Sequence, residues 1–359
     1  MKITITYPLF GLGYGNICAA NLIRDIKDNN SMKIIRHVDS IADECKGSVI
    51  ALGNFDGFHK GHQKVIGAAG KIAEEMKTTL TVLSMEPHPR MFFNPSQDEF
   101  RLNSFRTKSH LLESFGVDQF VVLPFDKTLA NMEAEDFVLD ALIGKIGALH
   151  IVVGFDYCFG AGRRGGVNVL GWLSKEEQFG LTVIEKVMGE GHIYSSSNIR
   201  ATLEKGDVRK VADQLGHWWH VEGHVRQGDQ RGRTIDFPTA NLLIEGYKEP
   251  RYGVYAVRVT MENGSNKSTW DAIANVGRRP TFDKKDVLLE CHIFDFDRDI
   301  YGQLVKVEFV DFIRPEQKFD GLESLKEQIH KDCIIARKIL EKPENKHSYI
   351  PSTSLADHI

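Results

Sequence analysis

Residues 49–62 read VIALGNFDGFHKGH, and the fold of the first half follows from them. An apolar run ends at Gly53, glycines recur at 57 and 61, and two histidines, His59 and His62, stand three residues apart. The segment that follows, QKVIGAAGKIAEEMK, spaces Val65, Ile66, Ala69, Ile72, Ala73 and Met76 along one helical face. A strand therefore passes through a glycine-punctuated turn into a helix, with both histidines at or just before the helix N-terminus. Unpaired N–H groups and the positive end of the helix dipole make that place suited to an anion, above all a phosphate. Two imidazoles there can stabilise charge building on a phosphorus atom. His-x-x-His by itself also suits a zinc ion or a structural turn, but no Cys-x-x-Cys accompanies it.

Outward from this stretch, apolar strands at 49–53, 80–85, 119–123, 150–154 and 181–187 alternate with amphipathic helices. Near-continuous apolar strands in that rhythm predict a parallel sheet covered on both faces, with ligands beyond the carboxyl ends of its strands. Unusual loops fall at those ends. After the second strand comes EPHPRMFF, stiffened by two prolines around His88. After the fourth comes GFDYCFGAGRRGGVNVL, whose glycines let backbone N–H groups close on phosphates while Arg163 and Arg164 offer planar donors. YSSSNIR, residues 194–200, then opens another helix, where at least one serine serves as a cap.

At Gly216 the periodicity changes from three or four to two, which places a boundary near 216–218. Short alternating runs at 218–225, 252–260, 270–275, 287–296 and 304–312 predict an antiparallel barrel or sandwich. A helix over 322–340 closes it, and the polar, proline-broken residues from 342 on read as disordered tail. Within GDQRGRTIDFPTANL, residues 228–242, Thr239 and Asn241 alternate on an extended segment, so two neutral oxygens share one side and suit a magnesium ion that also binds ATP. In LLECHIFDFDRDIYG, Leu289, Cys291 and Ile293 make an apolar face from which Glu290 projects oppositely with His292.

The chain has 359 residues, 42% of them hydrophobic, enough for two cores. With 45 Lys and Arg against 49 Asp and Glu, its net charge of −4 argues against nucleic acid as the main partner. The five cysteines, Cys18, Cys45, Cys158, Cys291 and Cys333, lack paired spacing, which suits the reducing cytoplasm. No run approaches a membrane span, and Pro8 with several glycines breaks the apolar opening that could pass for an export signal.

These motifs carry a resemblance. GNFDGFHKGH resembles the HxGH signature of nucleotidyltransferases and, in its flanks, bacterial FAD synthetases. GFDYCFGAGRRG resembles that family's GFDFRFGxGRxG, with Cys158 where a basic residue is common, and YSSSNIR resembles ISSTxIR with Ser197 in the threonine slot. RGRTIDFPTAN resembles the riboflavin kinase GxxxGRxLGFPTAN, Ile235 and Asp236 replacing Leu-Gly. NVGRRPTF, ECHIFDFDRDIYG and IRPEQKF resemble further kinase segments. From Met32 to Leu340 the chain thus resembles the bifunctional bacterial riboflavin kinase/FAD synthetase family.

The resemblance implies an N-terminal Rossmann-like nucleotidyltransferase domain over 32–216 and a C-terminal riboflavin-kinase β-barrel closed by a long helix over 217–341. Residues 1–31 remain an extension of unread role, and 342–359 a tail. It implies adenylyl transfer stabilised by His59 and His62, with Gly53, Asn54, Phe55, Asp56, Asp156, Gly160, Arg163, Ser195, Ser196, Ser197 and Arg200 holding the nucleotide. In the kinase it implies Gly228, Arg231, Gly232 and Arg233 on the nucleotide, Thr239 and Asn241 on Mg²⁺, Glu290 as general base, and Arg314, Glu316 and Phe319 on the flavin. ATP, riboflavin and FMN are the expected partners, without nucleic acid or membrane. Association into a homo-oligomer is compatible with the sequence.

Overall fold

The computed structural model describes residues 31–36, 41–94, 100–189, 191–227, 237–263, 266–278 and 287–346. In the first half, β1 (Lys33–Ile35), β2 (Val49–Leu52), β3 (Leu80–Glu86), β4 (Gln119–Pro124), β5 (His150–Gly154) and β6 (Gly180–Ile184) form one sheet in the order β1-β4-β3-β2-β5-β6. Every pairing is parallel. Because side chains alternate along a strand, Val49 and Ala51 enter the core on one face of the sheet while Ile50 and Leu52 enter the core on the other. Helix α1 (Lys60–Met76) packs Val65, Ile66, Ala69 and Ala73 onto the first of these faces. Helix α2 (Phe105–Ser114) adds Leu111 and Leu112 there, and α3 (Val167–Glu176) covers the opposite face through Leu170 and Leu173.

The strand order matters for function. From β2 the chain builds outward to β3 and β4, then returns to lay β5 on the other side of β2. The loops after β2 and β5 therefore diverge from a topological switch point, where open α/β sheets leave a crevice for ligands. The strand expected at 181–187 begins at Gly180 and ends at Ile184. The short β1 pairs with β4 at the sheet edge and was too brief to show periodicity.

After a small ribbon of β7 (Met188–Gly189) and β8 (His192–Ile193), two helices follow, α4 (Ser196–Glu204) and α5 (Val208–Leu215). The second half is an antiparallel sheet of β9 (His220–His224), β10 (Ala240–Leu243), β11 (Gly253–Asn263), β12 (Asn266–Arg278), β13 (Val287–Ile293) and β14 (Leu304–Pro315), ordered β10-β13-β12-β11-β14-β9. A bridge from Arg226 to Asn241, with the Arg226 N–H donating to the Asn241 carbonyl at 2.8 Å, joins the two ends into a barrel. Closure removes the exposed edges of the sheet. Helix α6 (Leu322–Leu340) packs Ala336 and Leu340 against Val254, Ala256 and Val310.

The halves share apolar packing. Ile199 and Leu203 of α4 and Val208, Val211 and Leu215 of α5 lie in the same buried cluster as the barrel residues Trp219, Tyr255, Val257 and Phe309. Leu102 joins them, and its carbonyl accepts the Trp219 indole N–H at 2.8 Å. The chain beyond 341 also departs from the expected tail. A turn of helix at Pro343–Lys346 buries Asn345 completely, because Arg258 donates to the Asn345 carbonyl and Arg209 of α5 to its side-chain oxygen at 3.3 Å.

Candidate active sites

His59 is the N-cap of α1, and its Nδ1 accepts the His62 backbone N–H at 3.2 Å. A neutral His59 must then carry its proton on Nε2. The two rings stack with centroids 3.5 Å apart, and Phe55 meets His62 edge-on at 5.3 Å. Burial, with Arg200 nearby, pulls the His59 pKa down to about 3. His62 is held well below its usual range by burial and by His59, Lys108 and Arg200. Both imidazoles are therefore neutral at pH 7, and the His62 Nδ1 is buried without a hydrogen-bond partner. Gly61 is required for this stacking. A Cβ there would stand 3.0 Å from the His59 ring and 3.2 Å from the Tyr194 carbonyl.

The serine loop closes on this turn. Ser195 caps α4 by accepting the Asn198 N–H at 3.3 Å, Ser196 donates to the Asp56 carbonyl at 2.8 Å, and Ser197 is exposed. Two residues expected on the nucleotide are bonded to each other. Arg200 donates to the Asp56 carboxylate at 2.5 Å and to the Phe100 carbonyl at 2.7 Å, while Asp56 also accepts the Leu102 N–H at 2.9 Å. This pair joins the loop after β2 to the start of α4.

The loop after β5 carries Asp156 and Arg163, both exposed, with Arg163 at φ +59°. Arg164 is committed to Glu133 through 2.7 and 2.8 Å bonds. Gly160, at φ +71°, lies where any Cβ would collide with the Ala134 backbone at 2.7–2.8 Å. Gly53 donates its N–H to Leu83 at 3.1 Å, and the Asn54 carbonyl accepts the Ser84 hydroxyl at 3.3 Å. Around His88, sequence reasoning missed Glu86, which binds Arg101 at 2.7 Å and Lys108 at 3.1 Å. His88 caps a short helix by accepting the Arg90 N–H at 3.1 Å, and burial, helped by Lys108 and Arg200, depresses its pKa to about 3. Only the join of β3 to α2 in space brings these charges together.

On the barrel, Glu290 of β13 stands between Asn241 of β10 and Asn275 of β12 in direct register. Cross-strand partners share a face, so the three side chains lie together on the side opposite the buried Leu289, Cys291 and Ile293. Asn241 is 6% exposed and its amide nitrogen turns back to the Thr239 carbonyl at 3.4 Å. His292 donates its Nδ1–H to the Pro238 carbonyl at 2.9 Å, which pins the extended segment. A cleft of about 540 Å³ lies on the other face of β13, where Cys291 and Ile293 line it together with Pro238, Thr239, Ala240, Phe296, Arg298 and Tyr301. The Glu316 carboxylate lies against Gly277 of β12, where a Cβ would displace it.

Arg314 donates to Asp332 of α6 at 2.8 and 2.9 Å and lies over the Phe319 ring at 5.7 Å. Gly228, Arg231, Gly232 and Arg233, together with Asp236, fall outside the described residues. Among the described residues no group of three His, Cys, Asp or Glu side chains could hold a metal, so any ion here would depend on neutral oxygens and on its substrate. Asn275 was the residue sequence reasoning passed over. Its motif was visible, but its place beside Glu290 depends on strand register.

An α/β sheet with imidazoles at a helix N-terminus, joined to a barrel with a carboxylate set between two amides, defines an ATP-using transferase of two units. Residues 41–198 match the family model for FAD synthetase and residues 215–340 that for riboflavin kinase. The chain is 34% identical to the bifunctional riboflavin kinase/FMN adenylyltransferase of Buchnera aphidicola, over 88% of this chain and 100% of that one. It is 37% identical to the protein of the same description from Bacillus subtilis, over 81% and 92%. A crystal structure described as a macrolide-efflux protein from Streptococcus pneumoniae superposes with a TM-score of 0.77 at 31% identity, covering 85% of this chain and 99% of that one. The chain belongs to the bifunctional riboflavin kinase/FMN adenylyltransferase family. Among the described residues no helix is long and apolar enough to cross a membrane.

Proposed function

We propose that the two halves act in succession on one flavin. The barrel transfers the γ-phosphate of ATP to the 5′-hydroxyl of riboflavin, giving FMN, and the α/β half transfers the adenylyl group of a second ATP to FMN, giving FAD and pyrophosphate. The observation that carries this reading is the register line Asn241, Glu290, Asn275, which sets one carboxylate between two amides on one face of the barrel.

In the kinase step Glu290 takes the proton of the ribityl hydroxyl as its oxygen attacks phosphorus. ATP lies against Thr239, and the resemblance assigns Gly228, Arg231, Gly232 and Arg233 to it. Asn241 turns its amide nitrogen to Thr239, so its carbonyl oxygen is the acceptor end at the site. Thr239, Asn241 and Glu290 are hard oxygen donors, a set that fits Mg²⁺, which when bound with ATP would neutralise charge on the phosphate oxygens. Glu316 and Phe319 face the flavin, and Arg314 holds its place through Asp332.

In the adenylyl step the FMN phosphate attacks the α-phosphorus without a covalent intermediate. His59 and His62 enter neutral and donate hydrogen bonds where charge develops. Gly53, Asn54, Phe55, Asp156, Gly160, Arg163 and the serines at 195–197 surround the nucleotide, while Asp56 and Arg200 hold two of these loops together. Cys45, Cys158, Cys291 and Cys333 are free thiols, which supports a place in the reducing cytoplasm. A domain division near 216 goes with this reading.

Chromatography of products after incubating the purified chain with riboflavin, ATP and Mg²⁺ tests the reading. FMN appearing first and FAD later is expected; FMN alone removes the adenylyl half, and neither product removes both.

A further inference from the structure

We propose that Gln63 is a positioning residue for adenylyl transfer, holding the histidine turn against the end of α5 and through it against the barrel. The inference rests on the adenylyl reading above. The turn is one that L residues hold only under constraint: Phe55 and Phe58 sit at φ +51° and +48° in the left-handed region, and both are buried. Something must fix it from outside. Gln63, 3% exposed, follows His62 directly and its backbone N–H bonds the His59 carbonyl at 3.0 Å. Its side-chain amide spends one proton on the Phe58 carbonyl at 2.8 Å and the other on the Leu215 carbonyl at 2.7 Å.

Leu215 is the last residue of α5 and belongs to the apolar cluster shared with the barrel. Gly216 then turns left-handed at φ +76°, passing so close that a Cβ there would lie 3.5 Å from the Gln63 amide. Gly57, in the same turn, is pressed between Leu102 and Leu215, where a Cβ would stand 2.7 and 3.5 Å away. The turn is thus clamped on one side by the junction between the halves, and Gln63 is the polar member of the clamp. Without its amide, two buried carbonyls lose a donor and the turn loses its tie to α5.

The test uses the full chain with Gln63→Met, which keeps length and removes both donors. The expected result is a kcat for FAD formation from FMN lowered on the order of 100-fold, with KM for ATP and FMN changed by no more than about twofold and riboflavin kinase kcat unchanged. In a His62→Ala background the same substitution should add little, because Gln63 acts through the histidines. Additive losses, equal loss of both activities, or an unaltered rate of FAD formation overturns the inference. Gln63→Glu gives a second measure should the methionine variant not fold. Its carboxyl donates only when protonated, so its rate of FAD formation relative to the unsubstituted chain should rise as pH falls, and a ratio flat with pH overturns the inference. If the unsubstituted chain makes no FAD, the adenylyl reading fails and takes this one with it. If it makes FAD and Gln63→Met does so equally well, only the role of Gln63 fails.

Discussion

Replacing Gly61 by alanine separates the geometry of the adenylyl site from the stability of the fold. The new methyl group would meet the His59 ring at 3.0 Å and the Tyr194 carbonyl at 3.2 Å, where ordinary contact begins near 3.4 Å. The backbone oxygen cannot yield cheaply, so the His59 ring must move by about 0.4 Å, the shortfall in that spacing. Two opposed terms act on stability. Alanine in a helix gains up to about 1 kcal/mol over glycine, less in a first turn, whereas overpacking costs about 1–3 kcal/mol. The net loss is therefore on the order of 1 kcal/mol, and the chain remains folded. Catalysis is more sensitive: a 1 Å misplacement costs on the order of 100-fold, so 0.4 Å costs roughly tenfold. Steady-state assay of FAD formation from FMN should show that drop in kcat, beside an unchanged rate of FMN formation from riboflavin and a melting temperature within a few degrees. A variant that melts normally yet makes FAD at the full rate would refute the claim that His59 placement governs the step.

Other expectations follow from the same geometry. Glu290→Gln should abolish FMN formation while sparing FMN adenylylation, and His62→Ala should lower FMN adenylylation on the order of 100-fold to a measurable residual rate while sparing FMN formation; product chromatography with each flavin supplied separately reads both. Asp332→Asn leaves Arg314 facing a site only 1% exposed without its counter-charge. It should cost on the order of 3 kcal/mol and raise the KM for riboflavin, measured by thermal melting and kinase kinetics. Burial holds His59, His88 and His220 at about 3, below the usual 6.5, so the unfolded chain binds protons the folded chain refuses as pH falls through that window. Stability present above pH 6.5 should be lost progressively toward pH 3, at up to about 1.4 kcal/mol per pH unit for each such histidine. Melting temperatures taken between pH 7 and 4.5 check it, and a flat profile would refute it.

Much of this architecture could be read from residues in sequence order. Apolar runs located β2 to β6, alternation located five of the six barrel strands, with β10 read only as an extended segment around Thr239 and Asn241, and the 3.6-residue pattern placed α6 at its observed ends. What could not be read depended on partners distant along the chain. Asp56 and Arg200 each carry a charge suited to a ligand, and nothing local shows that they neutralise one another at 2.5 Å. Glu290 could be assigned to an outward face from its apolar neighbours, but its flanking amides Asn241 and Asn275 come from register. Likewise, Ile199, Leu203, Val208, Val211 and Leu215 announce amphipathic helices without saying which core receives them. The tail after 341 read as polar because Asn345 is polar, and its burial depends on Arg258 and Arg209 reaching it from elsewhere.

That destination of α4 and α5 bears on how such a chain could diversify. Both helices lie between the stretches that match the two families, or at their margins, yet their apolar stripes are plugged into the barrel. A descendant that discarded its rear half would be left with two greasy ridges in water and would have to repaint them with polar residues before it could stay soluble. A descendant that kept only the rear half would need to carry the ridges along. The fusion is thus easier to inherit whole than to undo.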